Sequence, residues 1–221
     1  MTVSLTGARR AMFGALVTVL AIALSGPAHA TSGAKLAAAP PPDRLTVQVV
    51  TVNGSGCPAG TAAVAAASDN SAFTVTYSNY LAEAGAGSDP TDFRKNCQLN
   101  LLIHVPQGFS YAIAKADYRG FASLYNGATA MQRAHYYFMG QSPTAVSTHN
   151  FRGPYTDNWQ VSDVTDVASL VWSPCGENRN LNVNTELRVR AGTVSHNTSF
   201  ITMDSTDGSL RTIYHLSWKR C

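Results

Sequence analysis

Lys95-Asn96-Cys97-Gln98-Leu99-Asn100-Leu101-Leu102-Ile103-His104-Val105-Pro106-Gln107-Gly108-Phe109-Ser110-Tyr111-Ala112-Ile113 sets the fold class. In its first half, Cys97, Leu99, Leu101, Ile103 and Val105 alternate with Gln98, Asn100 and His104. A period of two sends one set to a buried face and the other to solvent. Leu102 is out of phase. Pro106-Gln107-Gly108 supplies a preset φ followed by a residue free to take positive φ. Phe109, Tyr111 and Ile113 then resume the alternation. The stretch predicts a β-hairpin with a half-cysteine on its core face.

More strands surround it. Leu45, Val47, Val49 and Thr51 alternate, as do Phe73, Val75 and Tyr77. The return strand runs to Arg119, with a phase shift near Lys115 that a bulge, or burial of both faces, would explain. Met131 to Met139 ends apolar on both faces and reads as a central strand. Leu181, Val183, Thr185, Leu187 and Val189 alternate with Asn182, Asn184, Glu186, Arg188 and Arg190. Leu210, Tyr214, Leu216 and Trp218 share a last face behind the turn Asp204-Ser205-Thr206-Asp207-Gly208. No amphipathic helix of useful length emerges. Many short strands with regular turns predict an all-β, antiparallel β-sandwich, jelly-roll-like in style.

Residues 1–30 read as a secretory signal peptide. Arg9 and Arg10 precede an apolar run from Ala11 to Leu24, and Ala28-His29-Ala30 fits a small-x-small cleavage site. That run is short for a bilayer span, so no stable membrane anchor is expected after cleavage. Residues 31–43 form an Ala/Pro-rich linker, and residues 44–221 suit a single domain. Cleavage after Ala30 removes two of the 16 basic residues and none of the 13 acidic ones, leaving a net charge of +1. Such a balance has no basic stripe of the kind nucleic-acid binding needs.

Cys57, Cys97, Cys175 and Cys221 are an even set in an exported chain, which predicts two disulfides. Of the three pairings, Cys57–Cys97 with Cys175–Cys221 keeps each bond within one half of the domain. No C-x-x-C or H-x-x-x-H spacing offers a metal site, and no cofactor is expected.

Gly54-Ser55-Gly56-Cys57-Pro58, Lys95-Asn96-Cys97-Gln98-Leu99, Tyr118-Arg119-Gly120, Trp172-Ser173-Pro174-Cys175-Gly176, Asp204-Ser205-Thr206-Asp207-Gly208 and Trp218-Lys219-Arg220-Cys221 form an ordered set. With it, nearly all of residues 44–221 resembles the secreted "domain of unknown function 4360" family of bacteria and fungi. The resemblance implies a small exported β domain with four cysteines. It supplies no catalytic residues.

The chemistry is sparse. No G-x-S-x-G elbow marks a nucleophile, and adjacent Ser195 and His196 do not make one. Only three glutamates exist, Glu83, Glu177 and Glu186, and strand spacing alone pairs none of them as glycosidase carboxylates. Asp204 and Asp207 sit in a Gly turn of the wrong spacing for an EF-hand, and an Asx-turn hairpin explains them. The loop Gly153-Pro154-Tyr155-Thr156-Asp157-Asn158-Trp159 offers Tyr155 and Trp159 to stack on sugars, with Asp157 and Asn158 for hydroxyls. Tyr125-Asn126-Gly127 is a similar loop. The Asn182, Asn184, Glu186, Arg188 and Arg190 ladder is a second surface for a glycan or partner, or simply the wet side of a sheet.

These features predict a secreted, extracellular binding module for polysaccharide or cell-envelope glycan rather than an enzyme. The alternatives are a hydrolase with a dispersed site built on His104 or His135 and a nearby Asp, and an effector or inhibitor acting on a secreted protein partner.

Overall fold

A computed structural model describes residues 38–142, 146–193, 196–203 and 211–221. The signal segment, Ser195 and the Asp204–Gly208 turn with Leu210 lie outside the described residues. The strands, in chain order, are β1 (Thr46–Asn53), β2 (Ala62–Ala66), β3 (Ala72–Tyr77), β4 (Leu81–Gly85), β5 (Arg94–His104) and β6 (Phe109–Leu124). They continue as β7 (Thr129–Phe138), β8 (Ser147–Arg152), β9 (Tyr155–Val164), β10 (Arg179–Arg190), β11 (Thr198–Thr202) and β12 (Thr212–Arg220). The one helical element among the described residues is a 3-10 turn at Val167–Ser169.

The strands form two antiparallel sheets. One has five strands in the order β1-β5-β10-β7-β8; the other has seven, ordered β2-β3-β12-β6-β11-β4, with β9 on β6. Their facing sides share one core. Leu99, Leu101, Ile103, Leu181, Val183 and Leu187 enter it from the first sheet; Phe73, Tyr111, Tyr118, Tyr214 and Trp218 enter from the second. Aromatic packing fills the middle: the Phe73 and Tyr214 rings stack at 4.9 Å, and Tyr111 meets Phe138 edge-on at 5.3 Å. The antiparallel β-sandwich expected from the alternation is the observed fold.

The strand calculus of the opening stretch holds, but its pairing does not. β5 pairs with β1 and β10, whereas β6 pairs with β12, β11 and β9. Pro106-Gln107-Gly108 therefore carries the chain from one sheet to the other instead of closing a hairpin. Gly108 takes a φ of 81° there, and the Phe109 N–H donates to the Pro106 carbonyl at 3.3 Å. Alternation fixes which side chains are buried; a turn between sheets preserves it as well as a hairpin does. The phase shift near Lys115 is a bulge: β12 pairs His215 with Lys115 and then Leu216 with Ile113, leaving Ala114 over.

Both expected disulfides are present. Cys57–Cys97 (Cα–Cα 5.3 Å) ties the loop after β1 to the centre of the five-stranded sheet. Cys175–Cys221 (6.0 Å) ties the approach to β10 to the end of β12. Each closes a loop of 40 or 46 residues. In the chain-entropy model such a loop contributes about 4 kcal/mol.

Residues 38–43 of the Ala/Pro-rich segment pack on the domain. The Ala38 N–H donates to the Trp218 carbonyl at 2.7 Å. Asn70 Nδ2 donates to the carbonyls of Pro41 (2.9 Å) and Asp43 (2.8 Å), while its Oδ1 accepts from the Leu45 N–H.

Candidate binding face

Alternation on β10 buries Leu181, Val183, Thr185, Leu187 and Val189 and turns Asn182, Asn184, Glu186, Arg188 and Arg190 outward. The register then decides their neighbours. Asn182 lies between Asn100 and Tyr137, Asn184 between Gln98 and His135, and Glu186 between Asn96 and Arg133. Arg188 lies between Arg94 and Met131; beyond it Arg190 faces Thr129, which faces Arg152 on β8. Around β10 the outer side of the five-stranded sheet is thus a field of amides, guanidinia, the His135 imidazole and the Glu186 carboxylate, with His104 at the far end of β5.

Hydrogen bonds hold its middle rigid. Asn100 donates to Asn182 Oδ1 at 2.8 Å and accepts from Asn180 Nδ2 at 2.6 Å. Asn184 Nδ2 lies 3.2 Å from His135 Nε2, which accepts as a neutral imidazole. Burial and then the Arg133 charge lower the His135 pKa, so neutral pH leaves it uncharged. Its ring stacks on Tyr137 with an interplanar angle of 11°.

Glu186 is the one carboxylate in this field. It accepts from Arg94 Nε at 2.8 Å, from Arg94 Nη2, and from Arg188 Nε. Burial works to raise its pKa, but the hydrogen bonds and charges of the two arginines outweigh it and hold the carboxyl below its ordinary range. Arg133, Arg152 and Arg190 have no carboxylate partner among the described residues. Two hollows indent the face. One, of about 280 Å³, lies between Arg94, Gln98, Arg133, His135, Asn184 and Glu186. The other, of about 350 Å³, lies between Met131, Asn150, Arg152, Arg188 and Arg190.

The sugar-stacking loop expected over residues 153–159 is instead largely strand. Trp159 opposes Gly120 across the β9–β6 ladder and is 4% exposed. Its ring contacts Phe151 at 5.2 Å, and a Cβ on Gly120 would meet it at 2.6 Å. Trp159 is therefore a core residue with no ring face open to a ligand. Alternation on an edge strand, rather than loop chemistry, turned it inward. Tyr155 is half-buried, with its hydroxyl donating to the Asn158 carbonyl at 2.9 Å. Asp157 and Asn158 are exposed, and Asp157 Oδ1 accepts from the Asn158 N–H. Tyr125 is exposed at the turn beside Tyr155, because Leu124 and Tyr155 are register partners.

The histidines expected to carry a dispersed hydrolytic site pair with no carboxylate among the described residues. His104 Nδ1 meets Asn178 Oδ1 at 3.0 Å, and His135 meets Asn184. Two other histidines do. His149 Nε2 lies 2.7 Å from Asp163 Oδ1, with Ser147 Oγ donating to the same oxygen. This trio bridges the open side of the sandwich, between edge strands β8 and β9, in a groove of about 520 Å³ rimmed by Val146, Val164 and Val171. Its wiring is not a proton relay. The nitrogen that meets Asp163 is also the one 3.3 Å from Ser147 Oγ, whereas a relay uses opposite ring nitrogens for acid and nucleophile. On the outer side of the seven-stranded sheet, Asp117 accepts from Ser162, lies 2.8 Å from His215 Nε2, and is 2.8 Å from Lys115 Nζ. Burial pushes its pKa up, but those three donors pull it down to about 2. Sequence gave no sign of either cluster, since each joins residues on different strands.

Comparison with known proteins places the chain. The model of the family described as Domain of unknown function (DUF4360) matches residues 43–221. An "Uncharacterized secreted protein" of Arthroderma benhamiae is 37% identical over 183 residues, covering 83% of this chain and 74% of its own. Three solved structures are distantly similar in shape. TmCBM61, solved in complex with beta-1,4-galactotriose, has a TM-score of 0.31 and 10% identity, over 80% of this chain and 88% of its own. The bacteriophage CBA120 tailspike protein 4 domain scores 0.26 at 8% identity, over 80% of this chain and 19% of its own. A deformed wing virus chain scores 0.27 at 11%, over all of this chain and 62% of its own. Likenesses of that size say nothing about function. The chain belongs to the domain of unknown function 4360 family.

Proposed function

We propose that this member of the domain of unknown function 4360 family is an extracellular glycan-binding module, and that its binding face is the outer side of the five-stranded sheet. Export is supported by the leader pattern of residues 1–30, by the secreted relative and by the two disulfides. One observation carries the binding face: amides, guanidinia and an imidazole converge on a hollow from three adjacent strands, β5, β10 and β7. Sugar hydroxyls need donors and acceptors in fixed directions, and strands hold side chains more firmly than loops do. The Asn100–Asn182 and Asn184–His135 bonds fix those directions before any ligand arrives.

A protein partner fits this face less well. Interfaces concentrate aromatic and aliphatic side chains at their centre. Here the outward residues around the hollow are polar or charged, with Tyr137 and Met131 on its flanks. Hydrolysis fits less well too, because neither His–Asp cluster presents a relayed nucleophile.

Affinity electrophoresis of the chain from residue 31 through gels containing single polysaccharides tests the proposal. Retardation by at least one polymer is expected, with loss in the double variant N184A/H135A at an unchanged melting temperature. Mobility that no polymer alters would overturn it.

A further inference from the structure

We infer that the glycan bound at this face is anionic, carrying carboxylate or sulfate groups that the arginines of the five-stranded sheet hold. This rests on the binding face proposed above and deepens it.

Charge is segregated across the molecule. The outer side of the five-stranded sheet holds Arg94, Arg133, Arg152, Arg188 and Arg190 against Glu186 alone. After residue 30, the rest of the chain holds nine basic and twelve acidic residues. A near-neutral protein therefore presents one strongly positive side and a negative remainder. Clustered arginines repel one another and oppose folding unless something offsets them. Glu186 offsets two. Arg133, Arg152 and Arg190 stay unmatched among the described residues.

The layout fits a polymer. Arg133 lines the first hollow with Arg94, and Arg152 and Arg190 line the second together with Arg188, which is bonded to Glu186. By register, the Arg133 row and the Arg190–Arg152 row are four residues apart along the strands. At a rise of about 3.3 Å per residue that is roughly 13 Å. Two charged groups of one extended chain can meet both hollows at once. Guanidinium groups pair with carboxylate and sulfate oxygens through two parallel hydrogen bonds, a geometry that hydroxyls do not reward. Neutral sugars would need the amides here but not the surplus cations.

Nucleic acid is the rival polyanion. Single strands are gripped by several aromatic rings on which bases stack. Among the described residues the strands of this face turn one aromatic ring outward, Tyr137 on β7, and it is already stacked on His135.

The test measures binding of the chain from residue 31 to polygalacturonate and to dextran sulfate, each beside its uncharged counterpart, fully methyl-esterified pectin and dextran. A single-stranded oligodeoxynucleotide completes the set. Binding to one or both charged glycans, at least tenfold above the uncharged partner, supports the inference, and the two arms separate carboxylate from sulfate. That binding should weaken at least tenfold between about 0.05 and 0.5 M NaCl, since salt screens exposed charges. The variant R133A/R152A/R190A should lose at least tenfold with its melting temperature unchanged, because the three side chains it removes support no ion pair among the described residues. Equal binding of charged and uncharged partners, or an unaffected triple variant, overturns the anionic ligand while leaving glycan binding intact. Oligonucleotide binding as tight as the glycans' overturns it in favour of nucleic acid. Binding to none of the five probes, with mobility unaltered in every polysaccharide gel, overturns both readings.

Discussion

On the outer side of the seven-stranded sheet, Asp117 is ringed by Lys115, Ser162 and His215, and every one of those groups bonds within the cluster. On the outer side of the five-stranded sheet, five arginines face one carboxylate, Glu186, which pairs with Arg94 and Arg188 alone among the described residues. Both are strand faces of one sandwich, built from the same alternation. The difference lies in what the charges are for. A carboxylate that collects three donors has its energy in the fold, and its lowered pKa records that. Arg133, Arg152 and Arg190 have no carboxylate partner among the described residues and gain no such energy from the fold, and we assign them to a ligand. The contrast extends inward: Trp159, the ring the sequence offers for sugar stacking, lies on the seven-stranded side and is core.

The largest expected effect falls on that residue. Trp159→Ala should destabilise the domain by about 4 kcal/mol, in the range for large aromatic truncations, as read by urea unfolding. If the contrast is right, the fraction that remains folded still binds glycan. Undiminished stability with lost binding would reverse the roles of the two sides.

Next comes Asp117. Its folded pKa of about 2 lies below its unfolded value of 3.8, so its stabilisation is full above pH 4 and drains as pH falls from 4 to 2. The shift corresponds to about 2 kcal/mol. Asp117→Asn should lower stability at neutral pH by about that amount and flatten the acid limb between pH 4 and 2 in urea melts, with glycan affinity unchanged. An unaltered acid limb would show that the cluster is not the store of stability described here.

The smallest effect sharpens the comparison on the other side. Glu186→Gln releases Arg94 and Arg188 to solvent and raises the formal charge of the face by one. Binding to a charged glycan should tighten roughly threefold at low salt and converge with the parent at high salt. Weaker binding, measured by calorimetry, would mean that Glu186 itself contacts the ligand.

Much of this face is legible in the sequence. The run from Leu181 to Arg190 assigns its inward and outward sides, and the structure keeps both, although Glu186 on the outward side is buried beneath its arginine partners. The bulge at Ala114 is foreshadowed by the broken phase near Lys115, and of the three cysteine pairings the one that keeps each bond within one half of the domain is observed. What alternation cannot convey is which strands meet. Arg133 stands opposite Glu186 only because β7 joins β10, and the turn that parts β5 from β6 keeps the same period as a hairpin, so alternation does not distinguish the two. The His149–Asp163 and His215–Asp117 pairs depend on the same long-range pairing. At Trp159 the local sequence points the wrong way: Gly153-Pro154 suggests a loop, yet the strand begins at Tyr155 and runs on in phase.

The central claim is that the two outer sides differ in function, and amide chemical-shift mapping during titration with the charged glycan that binds tests it most directly. The account predicts shifts at Gln98, Arg133, His135, Asn184 and Arg188, with Lys115, Asp117, Ser162 and His215 unmoved. Shifts confined to the Asp117 cluster, or to the Ser147–His149–Asp163 groove, would contradict it.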